Sequence, residues 1–431
     1  SDAVIPLISE LSIKSEMLDY EVQVANTAAQ DQKGRPRILP IRVDYSGPLP
    51  QNLASILDSR QYFIWKTPGD DQQLIEEVVL ALHTPLRRWK DKDELEAIGG
   101  AVPIDSKYYV ERAVDADFKR AVSQKEPIIL IKGARQMGKT SLLARGLNVA
   151  RDRGSIVALT DFQKFNAAQL ETVESFFIAL GEILADQLGL SVYPQDRWDS
   201  RRGPNLNFNS YIRREVLGSL NQPLVWAMDE VDRLFNRDYK SEVFGLFRSW
   251  HNERALNPAG PWGNLTLAIA YATEAHHFIT DMNQSPFNVG LRLELEEFTE
   301  EQVTDLNRRH GLPLQEGHEI LDFYKLTGGQ PFLVRRGLYE LVAHQMTLAD
   351  FVAKADQDNG PYGDHLRRIY STLVKNPAYT KIMTEILNGE TCSDAESFYS
   401  LRSVGILVGA SFKEAQLRNE IYTSYLKRLL Q

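Results

Sequence analysis

A phosphate-binding loop is the most specific chemical signature in the sequence. Gly133 and Gly138 stand five residues apart, and Lys139 and Thr140 follow directly. An apolar run at 127–132 comes before them and a helical pattern comes after, which is the setting of a Walker A loop. Glycines let consecutive backbone N–H groups turn toward a phosphate, and the following helix adds its positive end. The predicted nucleotide contacts are Gly133, Ala134, Arg135, Gln136, Met137, Gly138, Lys139, Thr140 and Ser141.

The chemistry expected of this loop is divided between two side chains. Lys139 would reach the β- and γ-phosphates of ATP or ADP, and the Thr140 hydroxyl would ligate Mg²⁺. A glycine-rich turn without a ligand is the alternative, and the strand and helix patterns on either side make it much less favoured.

Two acids end a second apolar strand about ninety residues further on. Residues 223–228 are apolar on both faces, as a central parallel strand must be, and Asp229 and Glu230 follow. This is a Walker B pattern, in which Asp229 would hold the metal and Glu230 would orient or deprotonate the attacking water. An Asp-Glu pair can also cap the next helix, but that interpretation loses most of its weight beside a Walker A loop.

Composition limits the possible classes of function. The 431 residues are 43% hydrophobic and 25% charged, and the net charge of −9 argues against a general nucleic-acid-binding surface. Cys392 is the only cysteine, which excludes an intrachain disulfide and favours the reducing cytoplasm. No apolar run approaches ~18 residues, so we expect no membrane span. A strand-like run begins almost directly after Ser1, so we doubt that this is a natural start.

The pattern along the chain predicts an α/β protein of several domains. Residues 1–85 alternate short strands (3–8, 37–43, 61–65) with helices (15–28, 70–82), and the charged stretch 87–96 is interpreted as a solvated linker rather than a basic cluster. Strands at 127–132, 155–160, 224–228 and 265–272, with helices between them such as 171–188, predict a doubly wound parallel sheet. Helices follow at 300–310, 316–327 and 331–344, and the last seventy residues suggest a winged helix.

The predicted boundaries place five segments in order. They are a partial α/β unit at 1–85, a linker at 86–100, a P-loop core at 101–298, a helical lid at 299–358 and a winged-helix domain at 359–431.

From about residue 99 to 431 the chain resembles the AAA-like members of the STAND class of signal-transduction ATPases. The resemblance rests on segments 99–103 and 109–112, the phosphate loop at 135–141, the acids at 229–232, and segments 285–290 and 328–332. It implies a nucleotide switch with a P-loop core, a lid whose Gly-x-Pro turn touches the base, and a winged helix that closes over the nucleotide. The site residues that it adds are Tyr109, Val110, Arg112, Thr273, Gln330 and Pro331.

Within that resemblance, Tyr109 and Val110 would flank the adenine. Thr273 stands where such proteins sense the γ-phosphate and where many relatives have arginine. Arg335 and Arg336 follow the Gly-x-Pro turn and would either reach a phosphate or remain solvated or paired with carboxylates.

Residues 1–85 resemble the second half of a TIR domain, which is a flavodoxin-like α/β fold. Segments 1–9 and 15–22 match its fourth strand and the helix that carries the catalytic glutamate of NAD-cleaving members, and Glu21 falls at that place. A carboxylate there would stabilise the oxocarbenium-like charge as nicotinamide leaves. Glu21 as an ordinary polar-face residue is equally favoured. The other side of the NAD site lacks a counterpart in these residues, so this unit is not expected to cleave NAD alone.

Two functions remain open. The first is an ATP-switched signalling protein, of antiviral or stress defence, whose homo-oligomerisation brings TIR units together in response to an unknown trigger. The second is an origin-recognition-like ATPase whose winged helix binds DNA. Residues 361–431 hold nine Lys and Arg against seven Asp and Glu, and the expected recognition stretch 395–404 has Arg402 as its only base. Because DNA contact needs several phosphate-neutralising side chains, the sequence favours the switch.

Overall fold

The protein is described from a computed structural model, which covers residues 2–31, 36–57, 62–83, 95–272, 286–315 and 317–431. The chain divides into two compact units. One comprises Ser1–Lys90 with Gly311–Glu316, and the other comprises Asp91–His310 with Gly317–Gln431. Each unit is described by itself.

The N-terminal unit is a small parallel α/β layer. The strands expected at 3–8 and 37–43 are each divided in two, because Pro6 and Pro40 lack the N–H group that a continuous ladder needs. The pieces pair in parallel as β1 with β3 and as β2-β4-β5. The elements are β1 (Ala3–Val4), β2 (Leu7–Ile8), α1 (Glu16–Asp31), β3 (Arg37–Ile38), β4 (Ile41–Val43), α2 (Gln51–Leu57), β5 (Phe63–Trp65) and α3 (Asp71–His83). Helix α2 was not predicted.

The larger unit is built on a five-stranded parallel sheet of order β10-β6-β9-β8-β7. The four predicted strands are present, with ends that differ by one residue in most cases. The fifth, β10, was missed because its residues alternate between apolar and charged and it lies at the edge of the sheet. The strands are β6 (Ile128–Lys132), β7 (Ile156–Asp161), β8 (Leu224–Asp229), β9 (Leu265–Tyr271) and β10 (Leu291–Glu294).

Helices cover both faces of this sheet, so alternate residues of each strand enter two different cores. Ile129 and Ile131 pack with α4 (Ala113–Ser123) and α5 (Lys139–Asp152). Trp226 and its alternate neighbours pack into an aromatic-rich core on the other face. The helices of that face are α6 (Val173–Leu188), α7 (Pro204–Tyr211) and α8 (Lys240–Leu256).

Glycine permits the close approach of α4 and α5. A Cβ on Gly146 would lie 1.9 Å from the Phe118 ring, well inside van der Waals contact. The helix that follows the phosphate loop is therefore packed directly against the preceding one.

The rest of the chain is mainly helical, as the sequence predicts. A short antiparallel hairpin lies between the last two helices. Among the described helices, none combines the length and apolar character of a membrane span. The elements are α9 (Glu300–Arg309), α10 (Gly317–Thr327), α11 (Pro331–Ala343), α12 (Leu348–Ala355), α13 (Gly363–Val374), α14 (Pro377–Leu387), α15 (Ala395–Val404), β11 (Leu407–Val408), β12 (Gln416–Leu417) and α16 (Glu420–Leu430).

Candidate nucleotide site

The phosphate loop lies between the end of β6 and the start of α5. Gln136 and Gly138 adopt left-handed backbone conformations, with φ of 65° and 94°. The Lys139 side chain folds back over the loop, where Nζ donates to the carbonyl oxygens of Gly133 at 3.0 Å and Ala134 at 3.3 Å. Lys139 is only 5% exposed. The ammonium group is thus held inside the loop, where phosphate oxygens can replace the two carbonyl oxygens as acceptors of its hydrogen bonds.

The two sequence motifs meet through one short hydrogen bond. The Thr140 hydroxyl donates to Asp229 Oδ2 at 2.6 Å, and the other carboxylate oxygen accepts from the Glu230 N–H at 3.0 Å. Burial raises the pKa of Asp229, although its bond from Thr140 and the nearby Lys139 charge oppose that rise. A hydroxyl and a carboxylate at the carboxyl edge of a sheet are oxygen donors of the kind that Mg²⁺ prefers.

Glu230 has a backbone conformation that is unusual for a residue other than glycine. Its φ is 57°, a left-handed conformation that costs free energy outside glycine and is concentrated at functional sites. Burial raises the pKa of its half-buried carboxyl, and the Lys139 charge opposes this. A carboxyl with a raised pKa beside a phosphate site is suited to accept a proton from water.

The segment before α4 forms a further part of the site. Val110 is buried, and Tyr109 donates from its hydroxyl to the Asp115 carboxylate; burial is the main cause that raises the pKa of Tyr109. Arg112 Nη1 donates to the Met137 carbonyl at 2.9 Å, which ties the segment to the phosphate loop. In this structure Arg112 therefore contacts loop backbone.

The Gly-x-Pro turn begins α11. A Cβ on Gly329, whose φ is 66°, would lie 2.3 Å from the Phe298 carbonyl oxygen, so only glycine fits there. Pro331 lines the cavity described below, whereas the Gln330 side chain accepts a hydrogen bond from the Tyr422 hydroxyl of α16 at 2.9 Å.

The two arginines that follow the turn are paired with carboxylates, which was one of the two expectations. Arg335 binds Glu96 at 3.0 Å and lies 4.7 Å from the centroid of the Tyr108 ring, and Arg336 binds Glu340 at 2.7 Å. Most of the charged stretch 87–96, interpreted as a solvated linker, lies outside the described residues, but Glu96 at its end is not freely solvated. Its carboxylate is ion-paired and also accepts from the Ser106 hydroxyl, so it belongs to the wall of the site.

The last part of the chain contacts the phosphate loop. The Arg135 N–H donates to the Ser403 carbonyl of α15 at 3.1 Å. Arg418, whose side chain is buried, pairs with Glu297 and approaches the Met137 sulfur at 3.9 Å. These contacts join residues 121 to 281 positions apart, and no local pattern in the sequence signals them.

Most of these parts surround one cavity of about 850 Å³, whose lining residues do not include Gln330, Ser403 or Arg418. Among the predicted site residues, nearly all of those between Tyr109 and Glu230 line it, as does Pro331. Asp161 also lines the cavity. It is the last residue of β7 and pairs in register with Asp229 of β8. Its position at the end of an apolar strand is the feature of the sequence that could have identified it. The predicted residues lining the cavity are Tyr109, Val110, Arg112, Gln136, Met137, Gly138, Lys139, Thr140, Ser141, Asp229, Glu230 and Pro331.

The other predicted site residues lie elsewhere. Gly133, Ala134 and Arg135 belong to the loop but not to the cavity wall. Glu21 lies exposed on α1 of the N-terminal unit. Thr273, the expected γ-phosphate sensor, falls outside the described residues; just before it, the Ala272 N–H donates to both Asp232 carboxylate oxygens at 3.0 and 2.9 Å.

Comparison with solved structures finds similar proteins. A Walker-type ATPase of Pyrococcus abyssi is similar at 17% identity and a TM-score of 0.51, over 74% of this chain and 96% of that one. Cdc6p of Pyrobaculum aerophilum follows at 13% identity and a TM-score of 0.40, over 76% and 98%. The ORC2 protein of Aeropyrum pernix has 13% identity and a TM-score of 0.41, over 76% and 96%. A comparison with curated proteins gives no match.

The similarity to the Pyrococcus ATPase supports the α/β P-loop fold and, at such an identity, nothing finer. A family model described as an AAA-like domain matches residues 97–428, which is most of the chain and includes the phosphate loop and both acids of the site. The chain therefore belongs to the AAA-like domain family.

Proposed function

We propose that this protein binds ATP in the 850 Å³ cavity and hydrolyses it. The observation that carries the proposal is the 2.6 Å bond between Thr140 and Asp229, made beside the buried Lys139. These side chains come from two motifs that are 89 residues apart, and they meet where phosphates bind in parallel α/β sheets. The residue types fit Mg²⁺, which would be held by Thr140 and Asp229 and would neutralise phosphate charge.

The residues have separate roles in this proposal. Lys139 exchanges the carbonyl oxygens of Gly133 and Ala134 for phosphate oxygens, so the loop keeps its main cation in both states. Tyr109, Val110 and Pro331 surround the base. Glu230 orients the attacking water and accepts its proton, since its carboxyl is half-buried and turned to the same cavity.

Calorimetric titration of the full chain with ATP and Mg²⁺ tests the binding step. We expect one nucleotide per chain, displaced by ADP. A chain that binds neither nucleotide would contradict the proposal.

We further propose that nucleotide state controls assembly, as in STAND ATPases. The supporting observation is that elements of α15 and the segment before α16, the part suggested to be a winged helix, contact the phosphate loop through Ser403 and Arg418. A nucleotide that changes the loop would bias those contacts. An intersite coupling of about 1–3 kcal/mol corresponds to a roughly 5- to 150-fold shift in equilibrium. Light scattering in ADP and in a non-hydrolysable ATP analogue tests this proposal, and an identical mass in both would remove it.

The proposed effector is a TIR-like N-terminal unit that cleaves NAD. Its support is the parallel α/β arrangement together with the exposed position of Glu21 on α1. In a protein that carries a complete TIR domain, we expect NAD loss only in the oligomer and none after Glu21→Ala. NAD loss that survives this substitution would remove Glu21 from the role.

The alternative of a DNA-binding initiator has less support from the geometry. The C-terminal end of α15, the expected recognition helix, packs on the phosphate loop through the Ser403 carbonyl. Its one base, Arg402, provides little charge for phosphate contacts. Tight binding of random duplex DNA that weakens steeply with salt would favour the initiator instead.

A further inference from the structure

Arg145 is a buried arginine on the helix that follows the phosphate loop. It lies on α5, six positions after Lys139, and is 8% exposed. The sequence gives no reason to single it out, because it stands in a helix with other basic residues. Nothing in the proposed ATP chemistry uses it.

The guanidinium group of Arg145 binds the backbone of the segment before α4. Nη1 donates to the Val102 carbonyl at 3.0 Å, and Nη2 donates to the Pro103 carbonyl at 2.6 Å. Its Cζ lies 3.4 Å from the centroid of the Tyr109 ring, so the guanidinium stacks on that ring. One more tie comes from the Val102 N–H, which donates to the Ser141 hydroxyl at 2.9 Å.

This segment needs such support because it has no regular secondary structure. Residues 95–112 contain neither helix nor strand, yet Val102, Tyr109 and Val110 line the cavity. A planar guanidinium can donate to two carbonyls and stack on a ring at once, which a lysine ammonium cannot do. Arg145 thus joins the helix of the phosphate loop to the wall assigned to the base.

We propose that Arg145 is a positioning residue that holds the base-binding wall at a fixed place relative to the phosphate loop. This inference rests on the proposed function. The ligand class it serves is an adenine nucleotide, whose triphosphate contacts the loop and whose base contacts the segment that Arg145 holds. Arg145 itself need not touch the nucleotide.

Calorimetry with two ligands separates this role from a general structural one. Full-length wild type, Arg145→Ala and Arg145→Lys are each titrated with Mg²⁺ and either ATP or inorganic tripolyphosphate, which has no base. Arg151→Ala is the matched control, since Arg151 is an exposed residue of the same helix. We expect Arg145→Ala to weaken ATP binding about ten- to a hundredfold, because hydrogen bonds from a charged group are lost, with tripolyphosphate binding unchanged. The ATP affinity of Arg145→Lys should lie between those of wild type and Arg145→Ala, and the ATP affinity of Arg151→Ala should equal that of wild type.

Two results would overturn the inference. Equal losses for both ligands would mean that Arg145 supports the phosphate loop, and no loss for either would mean that the wall is held without it. If Arg145→Ala fails to unfold cooperatively, Arg145→Lys provides the test. We expect this variant also to lose more affinity for ATP than for tripolyphosphate, by a smaller factor. A wild type that binds neither ligand would instead contradict the proposed function.

Discussion

Replacing Lys139 by alanine should remove nucleotide binding while leaving the fold intact. In the structure the ammonium makes two hydrogen bonds, at 3.0 and 3.3 Å, to the carbonyls of Gly133 and Ala134. With nucleotide bound, the same donors would serve phosphate oxygens. A hydrogen bond involving a charged group contributes about 1.5–3 kcal/mol, so two of them amount to at least about 3 kcal/mol. That loss corresponds to roughly a hundredfold or greater weakening of affinity.

The effect on stability should be much smaller. Lys139→Ala takes a donor from two loop carbonyls, but it also removes a buried ammonium that is costly to desolvate. The two effects oppose each other, and we expect the free energy of unfolding to change by about 1 kcal/mol or less.

Calorimetry with ATP and Mg²⁺ measures the affinity, and thermal unfolding without nucleotide measures the stability. Lys164→Ala is the matched control, since Lys164 is an exposed lysine of the same unit. An unchanged ATP affinity in Lys139→Ala would refute the assignment of the phosphate loop.

Two further substitutions test the acids and the C-terminal contact. The folded state raises the pKa of Asp229 and so binds a proton more tightly than the unfolded chain, which means that wild-type stability falls as the pH rises above the ordinary value of 3.8. Asp229→Asn should therefore lose less stability than wild type as the pH rises from about 4 to 7, by thermal unfolding without nucleotide or Mg²⁺, and should lose hydrolysis; an equal loss of stability in both proteins would contradict the raised pKa. Arg418→Ala breaks the pair with Glu297 and should lower the free energy of unfolding by about 1–3 kcal/mol in urea titrations and speed ADP release in stopped-flow measurements. An unchanged release rate would show that this contact does not hold the nucleotide.

The parts of the site that the sequence predicted are formed by residues that lie close together along the chain. Gly133 to Thr140 and the pair at Asp229 are contiguous motifs, and each is adjacent to a buried strand whose apolar run is easy to recognise. The edge strand β10 escaped prediction because Arg292 and Glu294 interrupt its apolar pattern. The N-terminal strands were predicted as too long because a single proline ends a ladder without changing the apolar pattern around it.

The missed parts of the site depend on distant contacts. Arg145 meets Val102 across 43 residues, and Arg335 meets Glu96 across 239. In the sequence Arg145 and Glu96 look like ordinary charged residues, and nothing identifies Glu96 as the partner of Arg335. Only the packing of the helices around the sheet determines which arginines face the cavity wall and which face solvent.

The central claim is that the cavity hydrolyses ATP with Glu230 as the residue that activates water. The most direct measurement compares phosphate release from ATP by wild type and Glu230→Gln, with bound nucleotide identified after the reaction. Glutamine keeps the size of the side chain but accepts no proton, while binding relies on Lys139, Thr140 and Asp229. The account predicts Mg²⁺-dependent phosphate release by wild type, and a variant that retains intact ATP and releases little phosphate. Hydrolysis by Glu230→Gln at the wild-type rate would contradict it.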